Sequence, residues 1–191
     1  MQKNRLEAFS DGVLAIILTI MVLELKVPHG SSLRELIPLL PVLLSYVMSF
    51  FTIGTYWGNH HHLLLAARKI NSNIILANLH LLFWLSLIPF TTGWMGENNF
   101  DSEPVAVYML NSLVCGFAYF ILQKTIEKRS DTNVVMIAAL KQQSKKAILS
   151  QITYAAAIPL AYVNPYISVV MFLAVSIVWM IPDRRIEQAV E

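Results

Sequence analysis

Two clusters of polar residues interrupt an otherwise apolar sequence. The first is Arg5-Leu6-Glu7-Ala8-Phe9-Ser10-Asp11, directly before Gly12–Leu23, a run of 12 residues without charge. The second holds Trp57, Asn59 and three consecutive histidines, His60, His61 and His62. Carboxylate, hydroxyl and imidazole groups together can build a proton relay, a metal site or a buried hydrogen-bond network. A metal site fits this spacing badly. Adjacent helical residues point about 100° apart, so three neighbouring imidazoles cannot converge on one ion. The i,i+4 spacing of a helical zinc site and a nearby carboxylate are both missing. One histidine buried in a network, with the others facing the interface, is the expected arrangement; no metal or other cofactor is expected. His80 reads as a satisfied internal group, and Trp84 and Trp94 as packing residues or interfacial anchors. Cys115, between Val114 and Gly116, reads as a small hydrophobe. The sequence carries no nucleophile–base motif, Walker loop or GxGxxG, so no enzymatic chemistry is expected.

The elements that position these groups follow from composition. Of 191 residues, 56% are hydrophobic and 14% are charged, against about 25% charged in an ordinary soluble domain. Too little polar surface exists to cover a soluble core. A disulfide scaffold is excluded by the single cysteine, and disorder by the apolar content. Basic residues never exceed two in a row and are not interleaved with aromatics, which argues against nucleic acid. The composition is that of an all-α integral membrane protein, read as one domain over residues 1–191.

Charge-free runs cover Leu36–Ala67, Ile70–Gly96, Pro104–Gln123 and Ala147–Pro182. A bilayer core of about 30 Å needs roughly 20 helical residues, and Asn164-Pro165 is a turn signal that divides the last run. A first span requires that Asp11 and Glu24 be sheltered. The chain is thus expected to cross six times, at about 5–27, 36–66, 72–95, 105–124, 145–163 and 166–182. With both termini cytoplasmic, 12 of the 14 Lys and Arg residues fall inside, and only Lys26 and Arg34 outside. That asymmetry obeys the positive-inside rule. The acidic loop Glu97–Glu103 falls outside. Asp11 ahead of the apolar stretch, with no small-residue cleavage site after it, marks the first helix as retained rather than as a signal peptide.

Helical periodicity sorts the first span into faces. Ile16, Thr19, Ile20 and Leu23 share an arc of about 100°. Asp11 lies about 120–140° from Ile16 and Leu23, so it faces another helix if the arc lines a passage. Ionisable groups within spans face protein or water and are functional candidates by default. The polar cluster of the second helix lies toward the same membrane face, so the two can meet.

These residues carry a resemblance. Arg5-x-x-x-Phe9-Ser10-Asp11 resembles the R-x-x-x-F-S-D signature of the transmembrane protein 175 family of potassium channels. The continuation GVLAIILTIMVLEL, then Trp57-x-x-His60, then Asn78 before Ile88-Pro89-Phe90, is similar to its bacterial members. The resemblance covers most of the first three spans. It implies a homotetramer, since animal members carry two six-span repeats per chain and this chain carries one. It implies a first helix lining a central pore, with Ile16 at the constriction, Thr19 as the threonine tied to potassium preference, and Leu23 as a further apolar layer. It also implies a polar network of Arg5, Ser10, Asp11 and His60. Where the family often has a tryptophan before the third-helix asparagine, this chain has Ala77.

The expected function is a potassium-permeable cation channel in the cell membrane, with modest selectivity and potassium passing transiently near Thr19. The alternative is a proton-coupled transporter or proton pathway through Asp11 and the His60–His62 cluster.

Overall fold

The structure, a computed structural model, describes residues 2–67, 69–128 and 134–180, with 134–142 as backbone. All its regular elements are helical: α1 (Lys3–Leu23), a 3₁₀ segment (Leu33–Leu39), α2 (Leu40–Leu65), α3 (Ser72–Leu85), α4 (Ile88–Glu97), α5 (Ser102–Glu127), α6 (Val134–Ala161) and α7 (Pro165–Met180). With the 3₁₀ segment joined to α2, and α3 and α4 taken as one bent unit, these make six helical units, the number expected. Four units, Lys3–Leu23, Leu33–Leu65, Ser72–Glu97 and Ser102–Glu127, are long and apolar enough to cross a membrane, and α7 is a shorter apolar helix. Arg68, Arg129, Arg184 and Arg185, counted above among the inner basic residues, lie outside the described residues.

The boundaries depart from the hydropathy reading for local reasons. The second span starts in a 3₁₀ turn because Pro38 sits inside it and Pro41 opens α2; proline supplies no amide donor to the preceding turn. The third span breaks at Ser86-Leu87. Pro89 at the start of α4 leaves the last turn of α3 without a continuing partner. Asn71 caps α3 by accepting from Ile74 N at 2.9 Å, and Asp101 caps α5 through Ser102 N at 2.8 Å. Between α4 and α5 the chain reverses through Asn99 and Phe100, both left-handed at φ 51° and 59°. Such angles are unusual for an aromatic residue; here the Phe100 ring is buried. Helix α6 begins well before residue 145, because lysines at one end of a span do not break a helix; they reach its rim.

Two apolar clusters hold the subunit together. One joins α1, α2, α3 and the later half of α5 around Leu14, Ile53, Leu81 and Leu122. The other joins α4, the earlier half of α5, α6 and α7 around Met95, Met109 and Phe172. Contacts at both ends of α1 mark its neighbours: Lys3 Nζ donates to Leu65 O at 3.2 Å, and Lys26 pairs with Glu97 at 2.6 Å. The start of α1 therefore lies beside the end of α2, and the end of α1 beside the end of α4.

Close packing at that second end depends on Gly96. A methyl group there would approach Val42 Cα to 2.7 Å and would also strike Ser45 Oγ. Backbone cannot move aside as a flexible side chain can. Gly96→Ala is expected to separate α4 from the first turns of α2 at about 1–3 kcal/mol, read as a lowered melting temperature in detergent. An unchanged melting temperature would refute the close approach.

Candidate functional site

Helix α1 presents three distinct faces. Leu6, Ser10, Leu14, Ile17 and Met21 are buried against α2 and α3, within about 80° of arc. Ile16, Thr19, Ile20 and Leu23 all lie on an exposed face of the single chain, Ile16 at 58% and Leu23 at 79% exposure. In a membrane such an apolar face can meet lipid, a neighbouring chain or a pathway. Asp11 lies on a third face, beyond Ser10 and away from Ile16.

The polar groups of α1 do not form one network. Ser10 Oγ donates to Leu6 O at 2.9 Å, so toward Asn78 it can only accept. Asn78 Nδ2 donates to Ser10 Oγ at 2.9 Å, which turns Asn78 Oδ1 toward His60 Nε2, 2.6 Å away. An amide oxygen only accepts, and so the network assigns the proton to His60 Nε2. Ser10, Asn78 and His60 are all buried: a three-residue clamp joining α1, α3 and α2.

Asp11 stands outside this clamp. Its Oδ1 accepts from the indole of Trp57 at 3.0 Å, on an exposed side of the pair. The expected partners were Arg5 and His60; instead Arg5 is exposed and the imidazole is committed to Asn78. The physical reason is the rotation of about 100° between Ser10 and Asp11, which sends only one of them into the core. Trp57 belonged to the recognised cluster, whereas Asn78 as its central bridge was visible only as part of a motif. An asparagine between Ala77 and Leu79, in the middle of an apolar helix, was the available signal. His61 is exposed, and its ring meets that of His62 at 5.7 Å between centroids. His80 accepts from Trp84 Nε1 one turn on, at 3.0 Å.

Thr19 Oγ1 donates to Ala15 O at 3.1 Å and to Ile16 O at 2.9 Å. The proton is used locally, and the oxygen's lone pairs remain turned outward on the exposed face. Beside this face runs a groove between α1 and α4, walled by Ile16, Ile20, Phe90 and Trp94 and closed at one end by Glu24 and Glu97. Outside the spans, hydrogen bonding and attraction from Glu97 hold the Lys26 ammonium above the usual lysine range, with a smaller contribution from Glu24. An exposed pair of this kind adds little stability, but it marks where α1 ends.

Residues 5–89 match the family described as the endosomal/lysosomal potassium channel TMEM175. A protein of Chryseobacterium sp. named as a potassium channel is 48% identical over 191 residues, covering 100% of this chain and 99% of that relative. The chain belongs to the TMEM175 family. Similarity extends to the human endosomal/lysosomal proton channel TMEM175, 36% identical over 101 residues, which are 47% of this chain and 20% of the human protein. The crystal structure of a lysosomal potassium-selective channel TMEM175 homolog from Chamaesiphon minutus superimposes with a TM-score of 0.80 at 26% identity, covering 93% of this chain and 96% of the other. TMEM175 is a family of ion channels rather than of enzymes, and the clamp of Ser10, Asn78 and His60 lies within its matched region.

Proposed function

We propose that four copies of this chain surround a central potassium pathway lined by α1, in the cell membrane with both termini cytoplasmic. The observation that carries this reading is the exposed arc Ile16, Thr19, Ile20 and Leu23 on a helix whose opposite side is clamped into the subunit. A rigidly seated helix can present a narrow apolar passage, and apolar layers hinder hydrated ions by dewetting. The groove between α1 and α4 gives a neighbouring copy a surface to fill. Chryseobacterium and Chamaesiphon relatives named as potassium channels support potassium as the permeant ion. The alternative, a proton-coupled transporter or proton pathway through Asp11 and the His60–His62 cluster, draws support from relatives named as proton channels; against a direct relay, Asp11 and His60 bond to different partners, Trp57 and Asn78.

A reversal potential measured in planar bilayers under asymmetric potassium and sodium tests this function. A shift toward the potassium equilibrium potential is expected, of modest size, since the pore arc offers hydroxyls and no carbonyl filter. No macroscopic cation current from a well-folded tetramer would overturn it.

Thr19 refines the same measurement. Its ring of oxygens is the one polar side-chain layer between Ile16 and Leu23, poised to offset partial dehydration of potassium. Thr19→Ala is expected to lower the potassium-to-sodium permeability ratio, and Thr19→Ser to retain more of it. Equal ratios in all three proteins would limit Thr19 to bonding its own helix.

A further inference from the structure

A partly open cavity lies between α2, α5, α6 and α7, away from the proposed pore. Its walls include Tyr56, Gln151, Tyr154, Ser150, Ser176 and Trp179. Neither Tyr56 Oη nor Tyr154 Oη has a hydrogen-bond partner among the described residues, although both phenols line the space and Tyr154 is 8% exposed. Both phenols face the cavity, where a hydrogen-bonding guest can satisfy them. Around them stand acceptors whose own protons are already used. Thr52 donates to Met48 O, Thr55 to Phe51 O, Ser150 to Lys146 O and Ser176 to Phe172 O, and Ser150 Oγ also accepts from Trp179 Nε1 at 2.8 Å.

Gly116 opens the wall on the α5 side. Gln151 reaches into the gap, and a side chain at Gly116 would strike it. With its nitrogen turned to Leu113 O (2.9 Å) and its oxygen to Phe117 N (3.1 Å), the orientation that matches donors to acceptors, the Gln151 amide pairs with both. The amide is satisfied and does not fill the space. Two phenol donors therefore face hydroxyl oxygens that can still accept, and a guest that both accepts and donates can join them. A hydroxyl group is the smallest neutral group that does so.

Size narrows the guest. About 50 Å³ of the cavity is reachable by the centre of a water-sized sphere. One water needs about 10–15 Å³ on this measure, so room exists for a cluster of roughly four waters. An alcohol of about three carbons displaces a comparable liquid volume, at about 30 Å³ per water. A lipid tail or a drug-sized ligand does not fit.

We propose that this cavity is a binding site for small neutral hydroxylic molecules, in which a water cluster bridges Tyr56 and Tyr154 to the surrounding hydroxyl oxygens and short alcohols displace it. The site belongs to the subunit body, so it does not depend on the reading of the pore.

Photolabelling of the purified full-length channel with a diazirine derivative of butanol, followed by peptide mapping, tests the site. Adducts are expected on Tyr56, Tyr154 or Gln151, reduced to background by excess propan-1-ol and left in place by decan-1-ol. Ser176→Leu, which fills the cavity from α7, is expected to abolish these adducts without changing potassium flux. Should that variant fail to assemble, Ala147→Val blocks the same space from α6. Absence of adducts on cavity residues, persistence of labelling in the filled variant, or competition by decan-1-ol equal to that by propan-1-ol would each overturn the proposal.

Discussion

Replacing Ile16 with asparagine is expected to raise single-channel potassium conductance while leaving the tetramer intact. Ile16 is 58% exposed and makes no part of either buried cluster, so an amide at this position removes little packing. In the proposed pore the same amide lies where an apolar layer excludes water. Wetting that layer lowers the barrier to a hydrated ion, and about 1 kcal/mol off the barrier corresponds to about fivefold in rate. The gain is bounded, because Leu23 remains as a second apolar layer about two turns away. A double substitution of Ile16 and Leu23 is accordingly expected to exceed either single change. The control is Leu14→Asn, on the opposite face of the same helix. Leu14 is buried at 1% exposure, and an amide there is expected to abolish folding rather than to tune current. Unchanged conductance in a well-folded Ile16→Asn tetramer would remove Ile16 from the pathway.

That contrast between Ile16 and Leu14 was legible in the sequence as periodicity, and the reason is the bilayer. In hydrocarbon the backbone must satisfy itself, which leaves helices as the spanning form; the charge-free runs then give the crossings, and 3.6 residues per turn sorts the faces. Local interruptions were also written in the sequence: Pro89 and Pro41 stand where helices restart. What the sequence could not supply was the rotation of one helix against another. Asp11 and Ser10 are neighbours, yet one meets Trp57 on α2 and the other meets Asn78 on α3. No periodicity in α1 alone decides between those partners. The cavity was hidden for the same reason, since Tyr56, Gln151 and Ser176 come from three helices far apart in sequence. Each alone reads as an ordinary polar residue within a span.

The second large effect falls on the clamp. Asn78→Ala is expected to lower the melting temperature and the tetramer yield more than Asp11→Ala does. Asn78 satisfies two partners at once, on two other helices, and all three residues are buried. Removing the amide leaves the His60 Nε2 proton without its acceptor in an apolar site, at about 1–3 kcal/mol, and adds the loss of the side chain's own packing. Ser10 suffers less, because its proton stays on Leu6 O. Asp11, by contrast, makes one bond to an exposed indole, where water can replace it. A double-mutant cycle between Asn78→Ala and His60→Ala isolates the shared bond from the packing loss. Hydrogen bonds between membrane helices average about 0.6 kcal/mol of coupling and reach about 1.7, and the short 2.6 Å contact favours the upper end. Additive effects of the two substitutions would dissolve the clamp. A larger loss in Asp11→Ala than in Asn78→Ala would instead give the signature aspartate a contact with a neighbouring copy, moving the structural weight of the motif from the subunit interior to the assembly.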